Sequence, residues 1–459
     1  MLRSARLFLG IVVGVMAWPV VTAAAEPPQP LTDELLGSVQ AAYSRTVAPG
    51  DSAERHRELM GVILRRLQRS YVTEADFATL ANAATRVLAP LPAAAAEPAD
   101  TFVKAMQAGL KALDPYARYF TPKAYEQDQS DSSGSFVGLG ITVESADGVV
   151  RVIRPLEGGP AERAGMRSGD LIVRVDGTPL LGMPLNDAIS RMRGEVGTRV
   201  TILVRRDGAS DFELSLARDT IRARPLRWHM QGDTLVLKLA SFNGPVSQAL
   251  TEAMEQITAA HAPRSVVLDL RGNPGGLLRE AVRVADAFLA RGEITSLRGR
   301  TASNQRSWQA DAAEFLPGVP MVVLVDKQSA SAAELVAAAL QENGRATVMG
   351  QRSFGKGSVQ TTFELGEGLG AVKFTTALYY GPAGRTVNKS GVWPDVELVT
   401  SAPGAGVAQP PVAAHGVRLE TQRCPATPGV TDATLSCALA LLQAGGAEAL
   451  VTTASYPLP

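Results

Sequence analysis

Two short aliphatic runs constrain this chain more than any other feature: Ser265-Val266-Val267-Leu268-Asp269-Leu270 and Met321-Val322-Val323-Leu324-Val325. Four to six residues with almost no polar interruption read as strands buried within a sheet. Each runs into a turn of glycines or small residues and then a helical stretch, at 277–290 and 332–341. An earlier strand at 235–239 is followed by a helix at 246–260. Strands alternating with helices from about 219 to 399 argue for an α/β layer structure.

The rest of the chain has a different texture on either side. From 32 to about 129 it is rich in Ala, Leu and Arg, with Leu59, Val62, Ile63, Leu67 and then Phe102, Met106, Leu110, Leu113 at helical spacing. Ala89-Pro90-Leu91-Pro92 and the alanines after it read as a linker inside this helical part. Asp114-Pro115 ends its last long helix, because the residue before proline is pushed out of helical geometry. Ser132-Ser133-Gly134-Ser135 reads as a flexible joint. Alternating runs then follow at 141–144, 149–153, 171–175 and 200–204, with the turn dipeptides Asp147-Gly148, Asp176-Gly177 and Asp207-Gly208 among them. One helix is expected at 184–193. A Pro/Gly/Ala-rich linker at 401–411 and a short helix at 433–443 complete the chain.

At 459 residues the sequence has room for about three domains. The expected division is 1–25 as an export signal, 26–130 helical, 131–218 β-rich, 219–400 α/β, and 401–459 as linker and tail. The signal is read from Arg3 and Arg6, the apolar run 7–21 and Ala23-Ala24-Ala25. An uncleaved anchor is the alternative, and the run is shorter than the ~20 residues that span a bilayer. Cys424 and Cys437 enclose a short loop, so a local disulfide is expected over two buried thiols, which fits an oxidising periplasm. With 45 basic and 45 acidic residues the chain carries no net charge, so nucleic acid is a poor partner. Four histidines and two cysteines make a multi-ligand metal site a poor expectation.

Three segments of the α/β part could carry chemistry. The first, Arg271-Gly272-Asn273-Pro274-Gly275-Gly276, leaves backbone N–H groups uncovered at a strand end, although an ordinary tight connection would look the same. In the second, Asp326-Lys327-Gln328-Ser329-Ala330-Ser331-Ala332-Ala333-Glu334, Ser331 and Glu334 form a capping box. A serine there also projects from a helix start, beside the free N–H of Ala332, which could stabilise an oxyanion. The third, Gly350 to Gln360, nearly spells a phosphate-binding loop. Gly357 stands where a hydroxyl is needed, however, and strand-like alternation follows instead of a helix. Its Lys356 is either a solvated surface charge or a base.

Together the segments point to one chemistry. A serine nucleophile needs a base, and His56, His229, His261 and His415 all lie elsewhere. A buried lysine can serve, since lowering its pKa from ~10.4 to near 7 costs roughly 4 kcal/mol. Gln360, four residues beyond Lys356, is a candidate to aim it, because strand positions an even number apart share a face.

At these residues the sequence resembles the carboxy-terminal processing peptidases, or tail-specific proteases. The resemblance rests on Ser329-Ala330-Ser331-Ala332-Ala333-Glu334, on Phe354-Gly355-Lys356-Gly357-Ser358-Val359-Gln360, and on Leu268 to Gly276. It implies that Ser331 is the nucleophile, that Lys356, 25 positions later, is the general base, and that Gln360 orients it. A further family serine is Ala333 here. Leu113-Asp114-Pro115-Tyr116-Ala117-Arg118-Tyr119-Phe120 is similar to the family's helical-domain signature. Phe136-Val137-Gly138-Leu139-Gly140-Ile141 resembles the carboxylate-binding loop of a PDZ domain, as 161–175 resembles its remainder. In such a loop Gly138, Leu139, Gly140 and Ile141 hold a peptide's terminal carboxylate, and the peptide adds as a strand.

The resemblance thus implies a multi-domain α+β protein: a crotonase-like α/β serine protease core, an inserted β-rich PDZ domain and a helical N-terminal domain. The expected activity is an exported serine endopeptidase that recognises apolar carboxyl termini, with the oxyanion held by Ala332 and the Gly275-Gly276 region. No metal or organic cofactor is implied. The expected location is periplasmic or otherwise exported, with membrane association, an adaptor lipoprotein and a homo-oligomer left open. The PDZ domain is expected to gate the cleft. The rival reading is a catalytically silent PDZ scaffold, whose mark would be the loss of Ser331, Lys356 or Gln360. Ser/Lys acyl transfer of the β-lactam or esterase kind would want a lysine where Glu334 stands.

Overall fold

The computed structural model describes residues 30–450 apart from 93–96, 133–134, 147, 157, 223–224, 261, 312–313, 400–415 and 447–448. The expected signal (1–25), part of the serine-glycine joint and the 401–411 linker therefore lie outside the described residues.

The amino-terminal helices are Asp33–Thr46, Asp51–Ser70, Phe77–Leu88 and Pro98–Leu113. Thr32 and Asp76 cap two of them by accepting backbone N–H groups, and Pro98 opens the fourth. The helices bury Ile63, Leu67, Phe102, Met106 and Leu110 in one cluster, while Val62, on the same helical repeat, stays exposed. Val372 and Phe374 of the strand Ala371–Tyr380 belong to the same cluster. The helices thus share a core with a sheet some 250 residues away in sequence. Arg118–Phe120 pairs with Ala371 to Lys373, placing the end of the fourth helix beside that sheet.

The helix Pro122–Ser132 then leads into the β-rich unit. Here Ile141–Ala146, Val149–Pro155, Leu171–Val175, Arg199–Arg205 and Phe212–Ala217 form an antiparallel sheet in that order. Asp176 and Gly177, at φ 47° and 74°, make the two-residue turn that returns Leu171–Val175 onto Thr178–Pro179. The helix Leu185–Met192 closes one side. Val152, Ile172, Val200, Ile202 and Val204 form the core.

The last unit is built on a seven-stranded sheet in the order Leu226–Gln231, Thr234–Leu239, Ser265–Asp269, Met321–Val325, Thr347–Gly350, Val396–Val399 and Val417–Glu420. The first pair is antiparallel and the rest are parallel. Alternate residues face opposite layers. Leu235, Val266, Leu268 and Val323 pack with the helices Val246–Ala260, Leu278–Asp286 and Ala332–Glu342. Val236, Val267, Val322 and Leu324 pack with Ala433–Ala444. That last helix is tied back by a disulfide between Cys424 and Cys437, whose Cα atoms are 5.0 Å apart. A second, five-stranded antiparallel sheet contains Arg118–Phe120, Ser358–Glu364, Ala371–Tyr380, Glu293–Gly299 and Arg306–Gln309.

Candidate active site

The strand Met321–Val325 is buried along its whole length, so the chain leaves it only at Asp326. Asp326 Oδ1 accepts the N–H groups of Gln328 and Ser329, an Asx-type turn, and also that of Gly272 at 2.9 Å. Ser329 Oγ reaches the Leu270 carbonyl at 2.9 Å, and Ala330 N–H reaches the Asn273 carbonyl at 2.9 Å. These bonds lock the serine turn onto the glycine turn. Ser331 then sits at φ 57°, ψ −114°, a left-handed conformation that costs a non-glycine residue about 1–3 kcal/mol. A serine on a sharp, strained strand-to-helix turn is presented outward, with Ala332 N–H beginning the helix behind it.

Gly275 fits against this elbow because it has no side chain. At φ 98°, an added Cβ would lie 2.7 Å from the Ala330 carbonyl, 2.8 Å from Ser331 Cβ and 2.9 Å from Ala332 N. Gly276, at φ 148°, is pressed equally hard against Phe242. The two glycines have different hydrogen-bonding roles. Asn273, fully buried, donates to the Leu239 carbonyl and accepts the Gly275 N–H at 2.9 Å. Gly275, expected as an oxyanion donor, therefore has its N–H engaged, and its contribution is steric. The N–H groups of Gly276 and Ala332 have no partner among the described residues.

Lys356 lies in the irregular segment between Thr347–Gly350 and Ser358–Glu364. A strand follows it, so no helix N-terminus is available for a phosphate. Gly357 is required by packing, since a Cβ would meet Asn388 N at 2.4 Å. The Lys356 ammonium stands 4.8 Å from the centre of the Tyr116 ring. Its pKa is held below the usual lysine range, first by burial and then by the cations Lys373 and Arg118, against smaller opposing effects of Asp114 and Glu334.

Gln360 donates to Ser358 Oγ at 2.9 Å and Thr375 Oγ1 at 3.1 Å, not to or from Lys356. The even-spacing argument does not reach Lys356, which precedes the strand. A bulge between Val359 and Gln360 also shifts the pairing.

Ser331, Ala332, Gly276, Lys356 and Gln360 nevertheless line one cavity of about 640 Å³. Leu277, Leu335 and Val359 give it an apolar wall. Tyr125, Asp128 and Gln129 of the helix Pro122–Ser132 line it too, as do Lys373 and Tyr379. The sequence pattern marks no role for Tyr116, Tyr379 or this helix. Tyr116 does lie within Leu113 to Phe120, the segment similar to the family's helical-domain signature. The other two offered no local signal, since strand Ala371–Tyr380 reads as plain sheet and Pro122–Ser132 is polar without an apolar stripe.

In the β-rich unit, Leu139 and Gly140 accept from Ala161 and Leu156 through their carbonyls, while their own N–H groups have no partner among the described residues. Gly140, at φ 69°, passes within van der Waals reach of Gly159 and Ile221. Gly138 pairs with Asp219, and Ile141 begins a strand whose one neighbour among the described residues is Val149–Pro155. Ile141, Val143, Leu185 and Ile189 are half-buried against the domain core. A glycine turn with open N–H groups beside a free strand edge is suited to an extended peptide end.

A family model described as Peptidase family S41 matches residues 233–398, and one described as PDZ domain matches 151–206. A carboxy-terminal-processing protease of Bartonella bacilliformis is 38% identical over 298 residues, covering 64% of this chain and 68% of the relative. Carboxy-terminal processing protease CtpA of Bacillus subtilis is 35% identical over 286 residues, covering 62% of this chain and 60% of that protein. Among solved structures, the photosystem II D1 C-terminal processing protease is 28% identical, with a TM-score of 0.50 over 80% of this chain and 93% of that one. With its α/β core, its PDZ domain and these relatives, the chain belongs to the carboxy-terminal processing proteases of peptidase family S41.

Proposed function

We propose that the protein is an exported serine endopeptidase that takes hold of apolar carboxyl-terminal tails and cleaves them with a Ser331/Lys356 dyad on a crotonase-like core. The observation that carries this reading is the shared cavity, which is lined by a strained serine, by a lysine with a lowered pKa, and by Ala332 and Gly276, whose N–H groups have no partner among the described residues. Neutral Lys356 removes the Ser331 proton as Oγ attacks the scissile carbonyl. Ala332 and Gly276 N–H hold the oxyanion. The ammonium of Lys356 then protonates the leaving amine, and an acyl group remains on Ser331. A water, deprotonated by Lys356, attacks that ester; the acid product leaves and the proton returns to the serine. Gln360 is assigned to steer Lys356 once substrate is seated, turning from its two hydroxyl partners. The chemistry calls for no metal or organic cofactor.

Peptide tails bind with their carboxylate at the Leu139 and Gly140 N–H groups and their chain along the edge of Ile141–Ala146. The helix Pro122–Ser132 lines the cavity with Tyr125, Asp128 and Gln129 and runs at its carboxyl end toward the PDZ strand Ser135–Gly138, which supports the reading that tail binding gates the cleft. The Cys424–Cys437 disulfide favours an oxidising compartment such as the periplasm. An adaptor lipoprotein that delivers substrate and a homo-oligomer are compatible partners. The reading is tested by incubating wild type and Ser331→Ala with an unstructured protein ending in apolar residues. Cleavage by wild type alone is expected, and cleavage by both would refute it.

A further inference from the structure

Glu334 is completely buried and makes no ion pair among the described residues. An unpaired buried carboxylate is costly unless donors surround it. Four do. Oε1 accepts the Ser353 hydroxyl and the Gly355 N–H, each at 2.6 Å, and Oε2 accepts the Ser331 N–H and the Lys356 N–H, each at 2.8 Å. A helix cap alone would need only the bond to Ser331. Here one oxygen spans Ser331 and Lys356, residues from different loops. On the carbonyl side the same two residues are joined again, because the Tyr379 hydroxyl lies 2.7 Å from the Ser331 carbonyl and also contacts the Lys356 carbonyl. Its one proton serves either carbonyl in turn. Burial raises the Tyr379 pKa, so it stays a donor.

We infer that Glu334 and Tyr379 are positioning residues that fasten the backbone of Ser331 to that of Lys356, so that nucleophile and base keep one separation through both half-reactions. This rests on the reading of Ser331 and Lys356 as the reacting pair. Lys356 has a long, flexible stem, so its anchor point sets how far its nitrogen can reach. A misplacement of about 1 Å costs about 100-fold in rate.

Glutamine cannot replace Glu334, although it has the same shape. It carries one acceptor oxygen, so its NH₂ must face either the Ser331 and Lys356 N–H groups or the Gly355 N–H, donor against donor. The charge matters separately. Around Lys356 stand Lys373 and Arg118, which lower its pKa, and Asp114 and Glu334, which raise it, with the Tyr116 ring beside its ammonium. Removing the Glu334 charge lowers the Lys356 pKa, which moves the acid limb of the rate profile to lower pH. The displaced limb reports the charge, and a fall in kcat at constant KM reports the positioning.

The test is steady-state cleavage of an apolar-tailed peptide by the full chain between about pH 6 and 10. For Glu334→Gln the expected result is kcat down by about 100-fold, KM within threefold and the acid limb displaced downward. For Tyr379→Phe, which keeps the ring volume, kcat falls about tenfold at unchanged KM. Ser331→Ala and Lys356→Arg are run beside them. Activity in either overturns the dyad and this inference with it. Inactivity in both, with a folded Glu334→Gln enzyme at wild-type kcat and an unmoved limb, overturns this inference alone. If Glu334→Gln does not fold, Tyr379→Phe decides, and wild-type kcat in that variant overturns it.

Discussion

The contact between Gly275 and the serine elbow gives the sharpest prediction. In Gly275→Ala the new methyl group would lie 2.7–2.9 Å from three atoms of the serine elbow, where ordinary contact begins at 3.4 Å. The shortfall is about half an ångström or more at each, and all three are backbone or Cβ atoms that cannot swing aside. Overpacking of this kind costs about 1–3 kcal/mol, and a side chain at φ 98° adds about 1–3 more. The expected loss of stability is therefore about 2–6 kcal/mol, read as a lower midpoint of denaturant unfolding. Part of the clash can be relieved only by moving the glycine turn away from Ser331, which pulls Gly276 N–H from Ala332 N–H. Loss of one oxyanion donor costs about 100- to 1,000-fold, so kcat should fall by at least 100-fold while KM changes little. Gly272→Ala is the control. It lies in the same turn at φ 67°, but its nearest neighbour would be Gln328 Oε1 at 3.6 Å, so only the backbone penalty of about 1–2 kcal/mol applies. Its kcat should stay within threefold of wild type. Equal activity losses in the two variants, or a wild-type rate in Gly275→Ala, would refute the steric argument.

Two further outcomes follow from the electrostatics. Lys373→Met removes a cation that depresses the Lys356 pKa, so that pKa rises and the acid limb of kcat/KM moves to higher pH in an initial-rate series; no movement or a downward one contradicts the assignment of Lys356 as the base. A substrate whose carboxyl terminus is amidated loses charge-assisted hydrogen bonds to the Leu139 and Gly140 N–H groups, worth about 1.5–3 kcal/mol, so its binding should weaken about 10- to 150-fold by titration; equal affinity for acid and amide would place tail recognition elsewhere.

Much of this architecture is legible from pattern. The strand Met321–Val325 and the helices Val246–Ala260 and Ala332–Glu342 agree with the sequence reading to within a residue, because aliphatic runs and a helical repeat between turn residues leave little choice. The helix read at 277–290 is shorter, Leu278–Asp286, and it turns at Ala287. The helix Pro122–Ser132 has no apolar stripe to mark it, because apart from the Tyr125 ring beside Phe120 it is tied down by polar pairs: Tyr125 to Glu364, and Asp128 to Arg118 and Lys373. Such pairs have no periodicity. The core shared between the amino-terminal helices and Phe374 escaped for another reason, since contacts between distant segments leave no trace in a local window.

At the site, residue types disclosed Ser331 and Lys356 but not how they are held. Glu334 read as a helix cap, and half of that is correct. Its second partner, Lys356 N–H, comes from a loop 22 residues away. Gly275 and Gly276 read alike, yet Asn273 engages one N–H and leaves the other open. Spacing could not separate them.

The central claim is that Ser331 carries the acyl group during turnover. Wild-type enzyme mixed with an apolar-tailed peptide ester, quenched in acid within the first turnovers and analysed by intact mass and peptide mapping, measures this directly. The account predicts a mass increase equal to the acyl half of the substrate, located on Ser331 and missing from Ser331→Ala. Turnover by Ser331→Ala, or an adduct on any other residue, would contradict it.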